Sequence, residues 1–162
     1  MAFAPLAYLP RSAWHILREM TRHLLRHPVV GVMAAARDAD GRWLLVRRAD
    51  TGTWAMPGGT VDWGETLSAT LVREVAEETG ARVERVGRVI GVYSRPDRDM
   101  RFHAITVLVH VLVNAERLGP ANPLEVREVR LFTDQELPAE LAMDGQDMLR
   151  DARKPGVDVV LE

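Results

Sequence analysis

Apolar residues recur along this chain with two periods, and the places where the period changes mark its elements. From Ser12, a residue suited to capping a helix, Trp14, Leu17, Leu24 and Leu25 fall on one side at helical spacing, with Ile16 and Met20 beside them. That pattern predicts a helix to about Arg26, ended by His27-Pro28. Val29–Arg37 is apolar and β-branched at its start and reads as a buried strand. Residues 38–41, "DADG", read as a turn, and 42–48 as the returning strand of a hairpin. "ADTGTWAMPGG" reads as loop, punctuated by Gly and Pro. A helix is predicted from Thr66 to Thr79, stopping at Gly80.

Strands follow over 83–94 and 102–114, joined by the charged loop "RPDRDMR". The second is apolar on both faces, which predicts a central position in a sheet. A further strand is predicted over 125–132, a short helix from Thr133, a last helix over Gly145–Arg153 and an apolar tail, "VDVVL". The order predicts a mixed α/β fold, with helices covering a mixed sheet. There are no repeats and no linker long enough to divide the chain.

The helix over 66–79 carries an unusual charge pattern. Four glutamates stand from Glu65 to Glu78, and three of them, Glu74, Glu77 and Glu78, crowd into five residues. At 3.6 residues per turn these three point to one side, and Leu71, Val72 and Val75 lie on the neighbouring side expected to face the core. Like charges at this spacing destabilise a helix by a few tenths of a kcal/mol per pair. Arg73 is the one local cation, placed to pair with Glu77. A solvated acidic face would interleave lysine and arginine, and this one does not. Three carboxylates converging at the edge of a core suit a hard divalent cation such as Mg²⁺, which takes oxygen ligands and is often shared with substrate phosphates.

The spacing continues beyond the helix. Gly59, Glu65, Arg73, Glu74, Val75, Glu77, Glu78 and Gly80 stand in the pattern G-x5-E-x7-R-E-U-x-E-E-x-G-U, where U is a bulky aliphatic. This resembles the signature of the Nudix hydrolases, with Ala81 a smaller final residue than usual. Seven fixed positions match by chance on the order of once in 10⁸ start sites. "TWAMPGG", the preceding hairpin and "EVREVRLFTDQELP" are also similar to Nudix domains, so the resemblance runs over about 28–137.

The resemblance implies an α/β/α sandwich and Mg²⁺-dependent hydrolysis, with Mn²⁺ an alternative, of a diphosphate that links a nucleoside to another group. It implies Glu74, Glu77 and Glu78 as metal ligands, joined by the Gly59 carbonyl, with Arg73 orienting a carboxylate. Glu65 is a weaker member of the site. The general base is either a box glutamate or one from another loop, where Glu125 and Glu128 are the candidates. Metal ions would neutralise the diphosphate and lower the pKa of bound water.

Outside the box, Trp54 is a candidate for stacking on a base, against packing as the bland reading. Tyr93, Arg95, Arg98 and Arg101 lie in or beside a loop expected to overhang the site, where arginines can grip phosphate. Glu125 completes the candidate substrate contacts. The Tyr-Ser-x-Pro loop resembles Nudix members acting on ADP-ribose and nucleoside diphosphate sugars, which are the expected substrates. Pyrophosphate removal from (d)NTPs, oxidised nucleotides or RNA 5′ ends is the alternative. A non-catalytic nucleotide-binding module is disfavoured because every box glutamate is intact. His103 reads as a structural histidine.

Composition narrows the partners. The 162 residues carry 21 Lys+Arg against 23 Asp+Glu, a net charge of −2, which argues against a nucleic-acid partner. There is no cysteine, which is compatible with a reducing cytoplasm. No apolar run approaches the ~20 residues of a membrane span. Residues 1–27 are expected to be an extension outside a single 28–162 domain. Their helix would contribute to a homodimer through Trp14 and Leu17.

Overall fold

A computed structural model describes Ile16 and residues 27–99, 101–156 and 158–162. The helix expected over 12–26 lies outside these residues, apart from Ile16, which is helical. The elements are β1 (Val29–Arg37), β2 (Trp43–Arg48), β3 (Trp54–Ala55), β4 (Gly58–Thr60), α1 (Leu67–Thr79), β5 (Arg82–Tyr93), β6 (Ala104–Asn114), β7 (Val126–Phe132), α2 (Gly145–Arg153) and β8 (Val160–Leu161). A 3₁₀ turn, Ala142–Asp144, leads into α2.

The strands form one mixed sheet in the order β3-β2-β1-β6-β5-β8, with β4 added to β1 and β7 to β2. β1 runs parallel to β6, and β5 to β8. β6 lies between β1 and β5, the central place that its two apolar faces predict. β1 shows how the sheet separates two cores. Its period of two sends Val32, Ala34 and Ala36 to one face, where they meet Leu71 and Val75 of α1. Met33 and Ala35 go to the other, with Trp43, Leu108 and, from α2, Met148 and Leu149. The result is the α/β/α sandwich.

Local chemistry sets the boundaries of α1. The Thr66 hydroxyl accepts the Ala69 N–H at 3.2 Å, and Gly80 ends the helix with φ 71°, a left-handed conformation that favours glycine. Leu71 and Val75 are fully buried, each contributing about 1.5–3 kcal/mol relative to exposure. Val72 corrects the expectation for its side: it is 43% exposed, because the core stripe runs Leu71–Val75–Thr79 and Val72 falls beyond its edge.

Three other expectations change. The segment expected to be loop contains β3 and β4, which are too short to show a period and exist because β2 and β1 offer them ladder partners. The helix expected from Thr133 is a turn: Glu136 accepts both the Thr133 N–H and its hydroxyl, at 3.0 and 2.8 Å, and Pro138 follows. The hairpin closes at Arg37↔Trp43, after which β2 leaves β1 to pair with β3 and β7. The space this opens on β1 is taken by β4, and that pairing brings Gly58 and Gly59 up to α1.

Candidate active site

Arg73 organises the exposed side of α1. Its Nε and Nη2 donate to the two oxygens of Glu65, both at 2.9 Å, a bidentate pair that ties the loop before the helix to the helix itself. Its Nη1 donates to Glu74 at 2.8 Å and to Glu77 at 3.3 Å. Glu65 also accepts the Thr70 hydroxyl at 2.8 Å, and these partners, Arg73 first, pull its pKa down to about 2. One guanidinium therefore holds three carboxylates, an arrangement that orients them.

Glu74 and Glu78 lie one turn apart where α1 meets β4. The Gly58 N–H donates to Glu78 at 2.9 Å. Burial pushes the Glu78 pKa up to about 7, with the negative charges of Glu74 and Glu125 adding to the rise. The Glu74 pKa is also raised, first by burial, with Glu77 and Glu125 contributing. A Cβ at Gly59 would run into the Glu74 carboxylate, so only glycine lets β4 approach this closely. Among the described residues no three acidic or histidine side chains already converge as a metal site. Glu77, 57% exposed, is turned towards Arg73. The donor set nonetheless fits a hard cation: all ligands are oxygen, and two carboxylates are held together against their own repulsion.

A cleft with an empty volume of about 490 Å³, counting the solvent at its mouth, adjoins this cluster. Gly58, Gly59 and Thr60 form the shared wall, β1 and β6 supply the floor, and Arg48, Asp99, Arg101, Phe102 and Met143 stand around it. Arg48 faces both sides of the junction, since its charge lowers the pKa of Glu78 and of Asp99. The only signals for Arg48 in the sequence were its charge and its place at the end of β2. Asp99 and Met143 carried none.

The residues expected to hold substrate are distributed differently. Glu125 is near enough for its charge to act on Glu74 and Glu78, whereas Glu128 pairs with Arg47 at 3.5 Å. Arg101 lines the cleft, bound to Asp99 at 2.6 Å. Trp54, Tyr93, Arg95 and Arg98 do not line it. Trp54 packs edge-on against Phe132, with ring centroids 4.8 Å apart. Tyr93 is buried and its hydroxyl donates to Asp151 at 3.0 Å. Arg95 is engaged by Asp144 and Arg98 by Glu162. His103 Nε2 lies 2.8 Å from the Ser94 carbonyl oxygen, a structural contact.

The NUDIX domain family pattern matches residues 25–152 of this chain. The chain belongs to the Nudix family. This Nudix hydrolase is 36% identical over 131 residues to an ADP-ribose pyrophosphatase of Methanocaldococcus jannaschii, a match covering 79% of this chain and 75% of that protein. It is 49% identical over 53 residues to a putative 8-oxo-dGTP diphosphatase of Bacillus subtilis, covering 33% and 35% of the two chains. The structure of a MutT NUDIX hydrolase from Burkholderia pseudomallei superposes with a TM-score of 0.68 at 28% identity, covering 78% of this chain and 98% of that one. Among the described residues of this Nudix hydrolase, no helix is long and apolar enough to cross a membrane.

Proposed function

We propose that this Nudix hydrolase cleaves the diphosphate of nucleoside diphosphate derivatives, ADP-ribose or nucleoside diphosphate sugars, to a nucleoside monophosphate and a phosphorylated product. The observation that carries the reading is the junction at Gly58–Gly59, where the carboxylate cluster of α1 meets a cleft bordered by Arg48 and Arg101. A diphosphate needs charge neutralisation at its bridge and room for a group on one side, and the junction offers both. The likeness to an ADP-ribose pyrophosphatase over most of both chains supports this substrate class.

Glu74, Glu78, Glu77 after rotation away from Arg73, and the Gly59 carbonyl would hold Mg²⁺ or Mn²⁺. The cation would supply charge neutralisation and an acidified water. Arg73 keeps Glu74 in place. Glu125, outside α1 but within reach of its charges, accepts the proton of the attacking water. Water adds to one phosphorus, the bridging P–O bond breaks, and the bridging oxygen leaves with the other phosphate. Arg48 and Arg101, paired with Asp50 and Asp99 but lining the cleft where Arg95 and Arg98 do not, would turn guanidinium N–H groups to the phosphates.

Incubation with Mg²⁺ and a panel of ADP-ribose, nucleoside diphosphate sugars, dinucleoside polyphosphates and (d)NTPs, read by release of monophosphate, tests this reading. Turnover of ADP-ribose or a diphosphate sugar above the (d)NTPs is expected. No turnover of any member would sink it. Preference for (d)NTPs would favour pyrophosphatase action on those nucleotides, which the local likeness to the 8-oxo-dGTP diphosphatase supports. We further propose that residues 28–162 form the catalytic domain, that 1–27 help form a homodimer, and that the cysteine-free chain works in the cytoplasm. A monomeric mass at micromolar concentration would refute the dimer.

A further inference from the structure

Two segments meet on the side of the cleft away from α1. One is the loop after β5, which presents Asp99, Arg101 and Phe102. The other is the turn before α2, which presents Met143. Outside the cleft, charged side chains tie the two together. Arg95 Nη2 lies 2.5 Å from Asp144 Oδ2, and Arg98 Nη1 donates to the Asp144 carbonyl at 3.3 Å. Arg98 also donates to both oxygens of Glu162, from Nη2 at 2.5 Å and Nε at 3.0 Å. The second of these oxygens accepts the N–H groups of Ser94 and Arg95 as well, each at 2.9 Å. Glu162 itself is seated beside β5, where its N–H donates to the Val92 carbonyl at 3.0 Å.

Isolated surface ion pairs contribute little. This group differs because the Arg98 side chain is only 7% exposed and its contact with Glu162 is bidentate. The backbone adds an independent observation. Met143 and Asp144 have φ of 57° and 52°, consecutive left-handed residues without a glycine. Such a conformation is costly and persists where the surroundings enforce it. Asp144 does not use its side chain to cap α2, so its carboxylate is committed to the arginines.

We propose that Asp144 and Glu162 are positioning residues: through Arg95 and Arg98 they clamp the loop after β5 onto the turn before α2, and so fix the wall that receives the nucleoside end of the substrate. The proposal rests on the reading of the cleft as the substrate's place. Neither residue touches the carboxylate cluster, so the clamp acts on binding and leaves the chemical step alone.

Asp144→Gly separates this role from a structural one, because glycine removes the carboxylate while relaxing the left-handed backbone. The melting temperature of the variant is expected to hold or rise. KM for the best substrate is expected to rise about fivefold, the scale of one well-formed ion pair, with kcat within about twofold. Glu162→Gln, which keeps the acceptor for the two N–H groups, should move KM the same way by less. Amide hydrogen exchange should quicken over 94–99 in both variants and stay unchanged in α1. Unchanged exchange over 94–99 in Asp144→Gly would overturn the clamp, and so would faster exchange with an unchanged KM. If the wild-type protein cleaves no member of the panel, the functional reading fails separately, and the exchange result alone decides whether the clamp exists.

Discussion

Glu78 stores a cost that the metal-free protein should reveal. Its carboxyl is half-buried between β4 and α1, beside the charges of Glu74 and Glu125, and its pKa stands at about 7 against an ordinary 4.5. Each tenfold change in proton affinity is about 1.4 kcal/mol, so the gap corresponds to at most about 3 kcal/mol. The sign follows from an acid whose folded pKa is raised. Its contribution to stability is fully present below pH 4.5, and it is lost as pH rises through about 7. In EDTA, urea denaturation should therefore show stability falling between pH 5 and pH 8 by up to that amount. Glu78→Gln should flatten much of the slope, because the amide oxygen can still accept the Gly58 N–H without ionising. At pH 8 the metal-free variant should be more stable than the wild type. Its activity with Mg²⁺ should nonetheless fall by at least about 10²-fold, the scale of a lost catalytic charge. A variant that keeps the full pH slope would refute the placement of this cost on Glu78.

Gly59→Ala should displace the Glu74 carboxylate and reduce kcat by about 10²-fold or more, measured by monophosphate release; full activity would show that the close approach of β4 is not needed. Leu71→Ala removes a fully buried side chain between α1 and the sheet and should cost about 2–5 kcal/mol in urea denaturation. Arg73→Lys keeps the charge but loses the bidentate hold on Glu65, and should lower kcat with little change in KM, since Arg73 orients carboxylates and does not line the cleft. The contact of Glu162 with Arg98, which holds the Glu162 pKa down to about 2, stabilises the fold above pH 4.5 and should weaken as pH falls from there towards 2. Acid denaturation of Glu162→Gln should lack that part of the loss.

Much of this was legible because the deciding interactions are local. The Thr66 cap, the Gly80 stop and the spacing of Leu71 and Val75 place α1 within a residue of its expected bounds. The apolar faces of β1 and β6 predict buried strands without reference to their partners. The glutamate spacing on one helix face is set by the helix itself, so the acidic cluster could be read directly. Val72 and the turn at Thr133 went the other way because periodicity is ambiguous at a stripe's edge and over a single turn.

The amino-acid sequence by itself determined the Nudix box, its helix and the reaction class, since those depend on residues a few positions apart. The tertiary structure decided what lies around the box. β4 exists because β1 leaves a ladder unpaired there, and only that pairing sets Gly59 against Glu74. Arg95 and Arg98 have the charge to grip a phosphate, but Asp144 and Glu162, 49 and 64 residues further along the chain, claim them. Which partner a charged side chain finds is a matter of distances between elements, and no local pattern encodes them.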